Sequence, residues 1–200
     1  MTSVRFVDET SFGFGWIAPE PKFMQRCSHA LRVGESVWVI DPVEGDGVVE
    51  RIRALGEPAG VLVLIDRHAR DSEQIAQELG VPRYVAPEEP VAPFDLIPIG
   101  KERALWLPEH ATLVVGEALG TPQYYRAPGE RVGIHPFRRL LPPRELAAFE
   151  PQHLLFSHGE GVHGSEAISA LRDALMNGRT RTFSWLWSGL KAHAFSRRGR

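Results

Sequence analysis

Apolar and polar positions change period twice along the chain, and each change marks a new kind of element. Val4-Arg5-Phe6-Val7 reads as a short strand. Phe12-Gly13-Phe14-Gly15-Trp16-Ile17 alternates aromatic residues with glycine, the pattern of a strand approached closely by other backbone, and Pro19-Glu20-Pro21 breaks it. Residues 30–33 and 37–40 flank a Gly34-Glu35 turn and predict a hairpin. Beyond Asp41-Pro42 the spacing becomes helical: Val48, Val49, Ile52 and Leu55 share one face, and Gly56 stops them. The unbroken run Val61-Leu62-Val63-Leu64-Ile65 then predicts a strand buried on both faces and paired in parallel. Residues 37–65 therefore read as one βαβ unit.

The second half is less regular. A short helix is predicted over residues 72–79, with Ile75, Ala76 and Leu79 on one face and Gly80 at its end. Strands follow at 83–85, 94–99, 104–107 and 112–115, with a Pro- and Glu-rich loop at 86–93. Residues 120–143 are rich in Gly, Pro and Arg and predict irregular structure, and 143–149 a helical turn. Residues 153–156 are the last clear strand, and 165–177 a helix burying Ile168, Leu171 and Leu175, with Gly178 as its cap.

Composition narrows the picture. Two hundred residues suffice for one domain with a hydrophobic core, and none of the apolar runs reaches the length of a bilayer span. The N-terminus lacks the pattern of a secretory signal. A net charge of −2 supplies no bulk attraction to nucleic acid or an anionic membrane. The single cysteine, Cys27, excludes an intrachain disulfide and a zinc site built on several cysteines, and suits a reducing compartment. The expectation is one cytoplasmic domain spanning 1–200 that uses neither nucleic acid nor membrane, with a frayed tail from about residue 192.

Candidate chemistry collects at the ends of predicted strands, where sheets of this type place their sites. Asp41 follows one strand; Asp66, His68 and Asp71 follow the next; Glu117 and His158 follow two later ones. The order of elements and motifs resembles the metallo-β-lactamase fold. The matching segments are Val39-Ile40-Asp41-Pro42, Asp66-Arg67-His68-Ala69-Arg70-Asp71, Gly116-Glu117-Ala118-Leu119 and Ser157-His158-Gly159. In that superfamily they correspond to a strand ending in Asp, an H-x-H-x-D-H motif, a turn bearing a bridging Asp, and a terminal histidine turn. The resemblance covers roughly residues 30–162. It implies an α/β, four-layer αβ/βα sandwich with two mixed sheets.

Departures from the motif bear on function. Only His68 and His158 keep the expected side chain at ligand positions. Asp66 stands for the first histidine, Arg70 for the aspartate, Asp71 for the last histidine, and Glu117 for the bridging aspartate. The resemblance therefore implies a metal set of His68, His158, Asp66, Asp71 and Glu117, with Asp41 and Arg70 shaping the site. Two nitrogens and three carboxylates suit a single Zn, Mn or Fe ion better than a zinc pair. Alternatively, Arg70, permanently charged and a good partner for carboxylates, replaces the metal in an ion-pair network. Asp71-Ser72-Glu73-Gln74 also has capping-box spacing, and 66–71 also reads as a solvated charged loop.

The leading expectation is a fold member without the dinuclear centre, acting as a binding or non-catalytic module. The alternative is a mononuclear metal-dependent hydrolase of a small ester, thioester or phosphoester. Tyr124, Tyr125, Arg126, His135, Arg138 and Arg139 sit in a stretch suited to covering the site and to a small anionic ligand. The C-terminal aromatics Phe183, Trp185 and Trp187 predict a docked segment, on this chain or in a homo-oligomer.

Overall fold

A computed structural model describes residues 3–19 and 24–188. Glu20 and Pro21 of the expected break, and the basic tail with Lys191, Arg197, Arg198 and Arg200, lie outside them. Among the described residues, two large sheets, one small strand pair and three helices of eight residues or more make up the fold. The first sheet has the order β1 (Arg5–Thr10), β2 (Gly13–Ile17), β3 (Cys27–Val33), β4 (Ser36–Ile40), β5 (Glu57–Val63) and β6 (Arg83–Val85). Its first three pairings are antiparallel; β4–β5 and β5–β6 are parallel. Helix α1 (Val48–Leu55) crosses from β4 to β5, and α2 (Ser72–Leu79) from β5 to β6, so the predicted βαβ unit is present.

The second sheet contains β7 (Asp95–Ile99), β8 (Glu102–Leu107), β9 (Thr112–Val115), β12 (His153–Phe156) and β13 (Val162–His163), in the order β13-β12-β9-β8-β7. Only β9–β12 is parallel. A small pair, β10 (Leu119–Gly120) with β11 (Gly133–Ile134), brackets the irregular segment. Helix α3 (Ser165–Asn177) follows β13.

Alternation along the strands explains the layering, because successive side chains leave opposite faces of a strand. Trp38, Ile40, Leu62 and Leu64 meet Leu105, Val114 and Leu155 in a core between the sheets. Val37, Val39 and Val61 face outward against Val48 and Ile52 of α1 and Ile75 of α2. Leu113, Val115, Leu154 and Phe156 face the other way, against Ala167, Leu171 and Ala174 of α3. Both sheets are covered on both faces, which is why their strands read as solid apolar runs. The result is the four-layer αβ/βα sandwich with two mixed sheets.

Two departures from expectation bear on packing. Strand β5 begins at Glu57 rather than Val61, because pairing with β4 recruits the weak strand formers Pro58, Ala59 and Gly60. Gly60 is required by packing: a Cβ there would lie 2.5 Å from the Trp38 ring, itself set edge-on against Phe94. Gly60→Ala is expected to cost about 1–3 kcal/mol in denaturant unfolding, the usual effect of overpacking. An unchanged midpoint would show that the ring moves freely. Gly178 is not a left-handed cap; its φ is −56°, and it is small because Ile134 packs 2.4 Å from where its Cβ would stand.

Candidate metal centre

Asp41 is the centre of the site's scaffold. It ends β4 with a positive φ of 45° and is wholly buried. Its Oδ1 accepts the Leu64 N–H at 2.8 Å, and its Oδ2 accepts the Ser157 hydroxyl and faces His68 Nδ1 at 2.8 Å. Burial alone would raise its pKa. The hydrogen bond and charge of His68, then Arg70 and Ser157, outweigh burial and leave it below the ordinary carboxylate value. An ionised carboxylate only accepts, so His68 Nδ1 donates to it, and Nε2 is the ring nitrogen turned to the site. The expected structural role of Asp41 thus extends to orienting a histidine.

His158 is fixed in the same way. Its Nδ1 faces the Met24 carbonyl at 3.0 Å and must donate, so its Nε2 is also free. Burial, then Arg70 and His68, push its pKa down to about 3, so the ring is neutral near pH 7. The two Nε2 atoms face each other at 3.3 Å. Each ring has its Nδ1 turned to a protein partner, so both Nε2 atoms are directed at one shared point where a cation could be held. Glu117, on the turn after β9, completes a group: one donor atom each from His68, Glu117 and His158 lies within 4.8 Å of the others.

The turn carrying Glu117 is held from behind by Glu102. Glu102 Oε1 accepts the N–H groups of Glu117 and Ala118 at 2.9 and 3.3 Å. The Glu117 carboxylate pairs with the guanidinium of Arg67 and lies 3.7 Å from His135 Nε2. Tyr125 stacks on His158 with ring centroids 5.7 Å apart. Desolvation, then Arg67 and Arg138, push the His135 pKa down to about 4.

The remaining residues of the expected set are placed elsewhere. Asp66 starts a 3-10 turn, is exposed, and does not belong to the group. Asp71 points the other way, its Oδ2 accepting the Glu44 N–H at 2.8 Å. It stands at the N-cap position of α2 but makes no side-chain cap bond, so the capping box does not form. Among the described residues Arg70 forms no salt bridge with a carboxylate, although its charge acts on Asp41. Its guanidinium donates to the main-chain carbonyls of Cys27, Asp41 and Ser157 at 2.8–3.0 Å. Three carbonyls satisfy it, of which Asp41 also accepts the Ser28 hydroxyl and Ser157 the Cys27 N–H, so in place of the expected ion-pair network the structure has a guanidinium clamp on backbone.

Arg67, Tyr125 and His135 enter the site without having been singled out as ligands or partners. His135 and Tyr125 were foreseen only as parts of a covering segment, and they arrive through β10–β11, which folds that segment over the centre. Arg67 had one available signal, its place between Asp66 and His68.

The donor set fits a metal ion on geometry. Two imidazole nitrogens, each about 2.0–2.1 Å from a tetrahedral zinc, stand about 3.3 Å apart. That matches the observed separation of the Nε2 atoms. Asp41 and the Met24 carbonyl hold the other ring nitrogens, as partners of metal-binding histidines do. A second ion finds no matching group at Asp66, Arg70 or Asp71.

No family model matches the sequence, and no curated protein compared with it matches either. Solved structures do match. The chain is similar to VMB-1, with a TM-score of 0.60 at 11% identity, covering 92% of this chain and 98% of that one. It is similar to the DIM-1 metallo-β-lactamase exposed to ceftazidime, with a TM-score of 0.59 at 13% identity and 89% and 97% of the two chains covered. A metallo-β-lactamase from Erythrobacter litoralis matches with a TM-score of 0.54 at 15% identity, covering 86% and 96%. The layering, the strand order and these likenesses agree: the chain has the metallo-β-lactamase fold.

Proposed function

We propose that the chain holds one divalent metal ion on His68, His158 and Glu117 and is a mononuclear hydrolase of a small ester, thioester or phosphoester. The observation that carries this reading is the pair of Nε2 atoms facing at 3.3 Å, each ring held from behind through its Nδ1. Bound there, an ion would polarise a carbonyl or phosphoryl oxygen and lower the pKa of water near to 7. The protein's own groups position and select. Asp41 holds the His68 ring, Met24 the His158 ring, and Glu102 the Glu117 turn. Tyr125 shields the buried face of His158. Arg67, with 62% of its side chain exposed, is the cation that would meet an anionic group on the substrate.

One observation favours the binding-module reading. Arg67 already occupies the Glu117 carboxylate, which weakens it as a third ligand. Calorimetric titration of the metal-free chain with Zn²⁺ and Mn²⁺, beside assays on nitrophenyl acetate, a thioester and a nitrophenyl phosphodiester, separates the two. On the hydrolase reading His158→Ala loses both an ion and the activity. Asp41→Asn weakens the ion by about 10–100-fold, as loss of a ligand-orienting group does. An ion bound as tightly in His158→Ala as in the unaltered chain would remove His158 from the site. A bound ion without turnover on any of the three substrates would leave the binding module.

A further inference from the structure

A second group of donors lies on the other side of the Arg70 clamp, whose guanidinium holds the Cys27 carbonyl. Asp8 comes from β1, and Cys27 and His29 lie two residues apart on β3, hence on the same face. One donor atom from each lies within 4.8 Å of the others. Cys27 and His29 are completely buried.

His29 is the informative member. Its Nε2 faces the Phe156 carbonyl at 2.8 Å and must donate, so Nδ1 is left as a bare lone pair. Nδ1 is buried with no hydrogen-bond partner among the described residues. An orphaned buried acceptor is uncommon, because it forfeits its hydration. Nδ1 and Asp8 Oδ2 converge on Gly15: a Cβ there would lie 2.9 and 3.2 Å from them, so any side chain at 15 would press on both donors.

The carboxylate is oriented in turn. Asp8 Oδ1 and Oδ2 accept the Gly161 N–H at 2.9 and 3.0 Å, and Oδ1 faces His163 Nε2 at 3.1 Å. Metal-binding carboxylates and histidines characteristically have such partners on their outer atoms.

We propose that Asp8, Cys27 and His29 form a second metal site, separate from the His68–His158 centre, for one zinc-type divalent ion. The donor set of thiolate, imidazole and carboxylate is one that zinc favours. Charge agrees: a thiolate and a carboxylate carry −2, which a divalent ion neutralises, and a buried charge needs that compensation. Binding breaks the Cys27 S–H bond, releases the proton to water and forms the sulfur–metal bond. Without the ion, burial and the neighbouring Asp8 hold the thiol protonated, its pKa well above the ordinary value. Because Asp8 binds Gly161 and His29 binds Phe156, the ion would tie the first sheet to the β12–β13 end of the second.

Cobalt reports on this site directly, since the chain has a single cysteine. Metal-free protein titrated with Co²⁺ is expected to develop a near-ultraviolet thiolate-to-cobalt charge-transfer band, complete by two equivalents per chain where the other centre also fills and by one in His158→Ala. The band persists in His158→Ala, which removes only the other centre, and disappears in Cys27→Ser. Asp8→Asn is expected to weaken the band's apparent affinity at least about 10-fold. Failure of the proposed hydrolase site would leave the band untouched. Absence of the band at saturating Co²⁺ in the unaltered chain, its loss in His158→Ala, or an unchanged affinity in Asp8→Asn would overturn the proposal.

Discussion

Arg139→Met is expected to cost about 3–5 kcal/mol of stability, the range for removing one partner of a buried ion pair. Arg139 and Glu130 are both fully buried side chains. Arg139 Nη1 donates to Glu130 Oε1 and to the Gly178 carbonyl, both at 3.1 Å, and its Nη2 to Glu130 Oε2 and the Tyr125 carbonyl. Methionine retains the length and the apolar stem but leaves the Glu130 carboxylate uncompensated in a dry interior. Much of the loss is that penalty, so Arg139→Met with Glu130→Gln is expected to recover a large part of it. A double-mutant cycle in urea unfolding measures the coupling. A single-variant loss below about 1 kcal/mol would show the pair to be dispensable. The pair also bears on the site, because it anchors Tyr125, whose ring stacks on His158. Its partner Gly178 ends α3, and Trp185 beyond it donates to the Tyr124 carbonyl at 2.7 Å. The C-terminal aromatics were expected to dock; Trp185 does so on this covering segment, whereas Phe183 stays exposed.

The parts of the fold that were legible are those in which burial writes a period into the chain. Residues 37–65 switch from apolar run to helical spacing and back, and α1 and the β4–β5 pairing follow it. The bounds of α2, β6, β12 and α3 fall where Gly80, Val85, Phe156 and Gly178 end their patterns. Strand β3 was seen only from Ala30 because Cys27-Ser28-His29 looks polar. Those residues are buried all the same: Ser28 bonds the Asp41 carbonyl and His29 the Phe156 carbonyl, across 13 and 127 residues. Partners that distant leave no local pattern. The site was legible as a set of strand ends, of which Asp41, His68, Glu117 and His158 lie together in the structure. The directions of Arg70 and Asp71 were not, since they are set by main-chain atoms distant in sequence: the Cys27, Asp41 and Ser157 carbonyls for Arg70 and the Glu44 N–H for Asp71. The Arg139–Glu130 pair was hidden among several arginines of an irregular stretch with no period to single one out.

Glu102→Gln is expected to stabilise the protein increasingly as pH rises from about 4.5 to 7. Glu102 is fully buried; its Oε1 holds the Glu117 turn, while its Oε2 has no hydrogen-bond partner. Burial pushes its pKa up from 4.5 to about 7, against the pull of the turn amides and Arg138. Below pH 4.5 the carboxyl is protonated in both folded and unfolded chains and contributes no pH dependence. Between 4.5 and 7 the unfolded chain releases the proton and the folded one keeps it, so stability falls as pH rises. Above 7 both are ionised and the penalty is constant at about 3 kcal/mol, taking 1.36 kcal/mol per pKa unit. His158 and His135 act with the opposite sign. Their folded pKa values of about 3 and 4 mean that stability is present above 6.5 and is lost as pH falls towards those values. The two effects overlap between 4.5 and 6.5 and partly cancel in the unaltered protein, which therefore conceals both. The difference between Glu102→Gln and the unaltered chain isolates one of them, because the amide has the shape of the acid, still accepts the Glu117 and Ala118 N–H groups and never ionises. Urea unfolding of both proteins from pH 4.5 to 8, with chelator present, should show that difference growing by about 3 kcal/mol and then levelling near pH 7. A difference independent of pH would mean that Glu102 ionises in the folded chain as readily as in the unfolded one, and that its buried Oε2 is compensated after all.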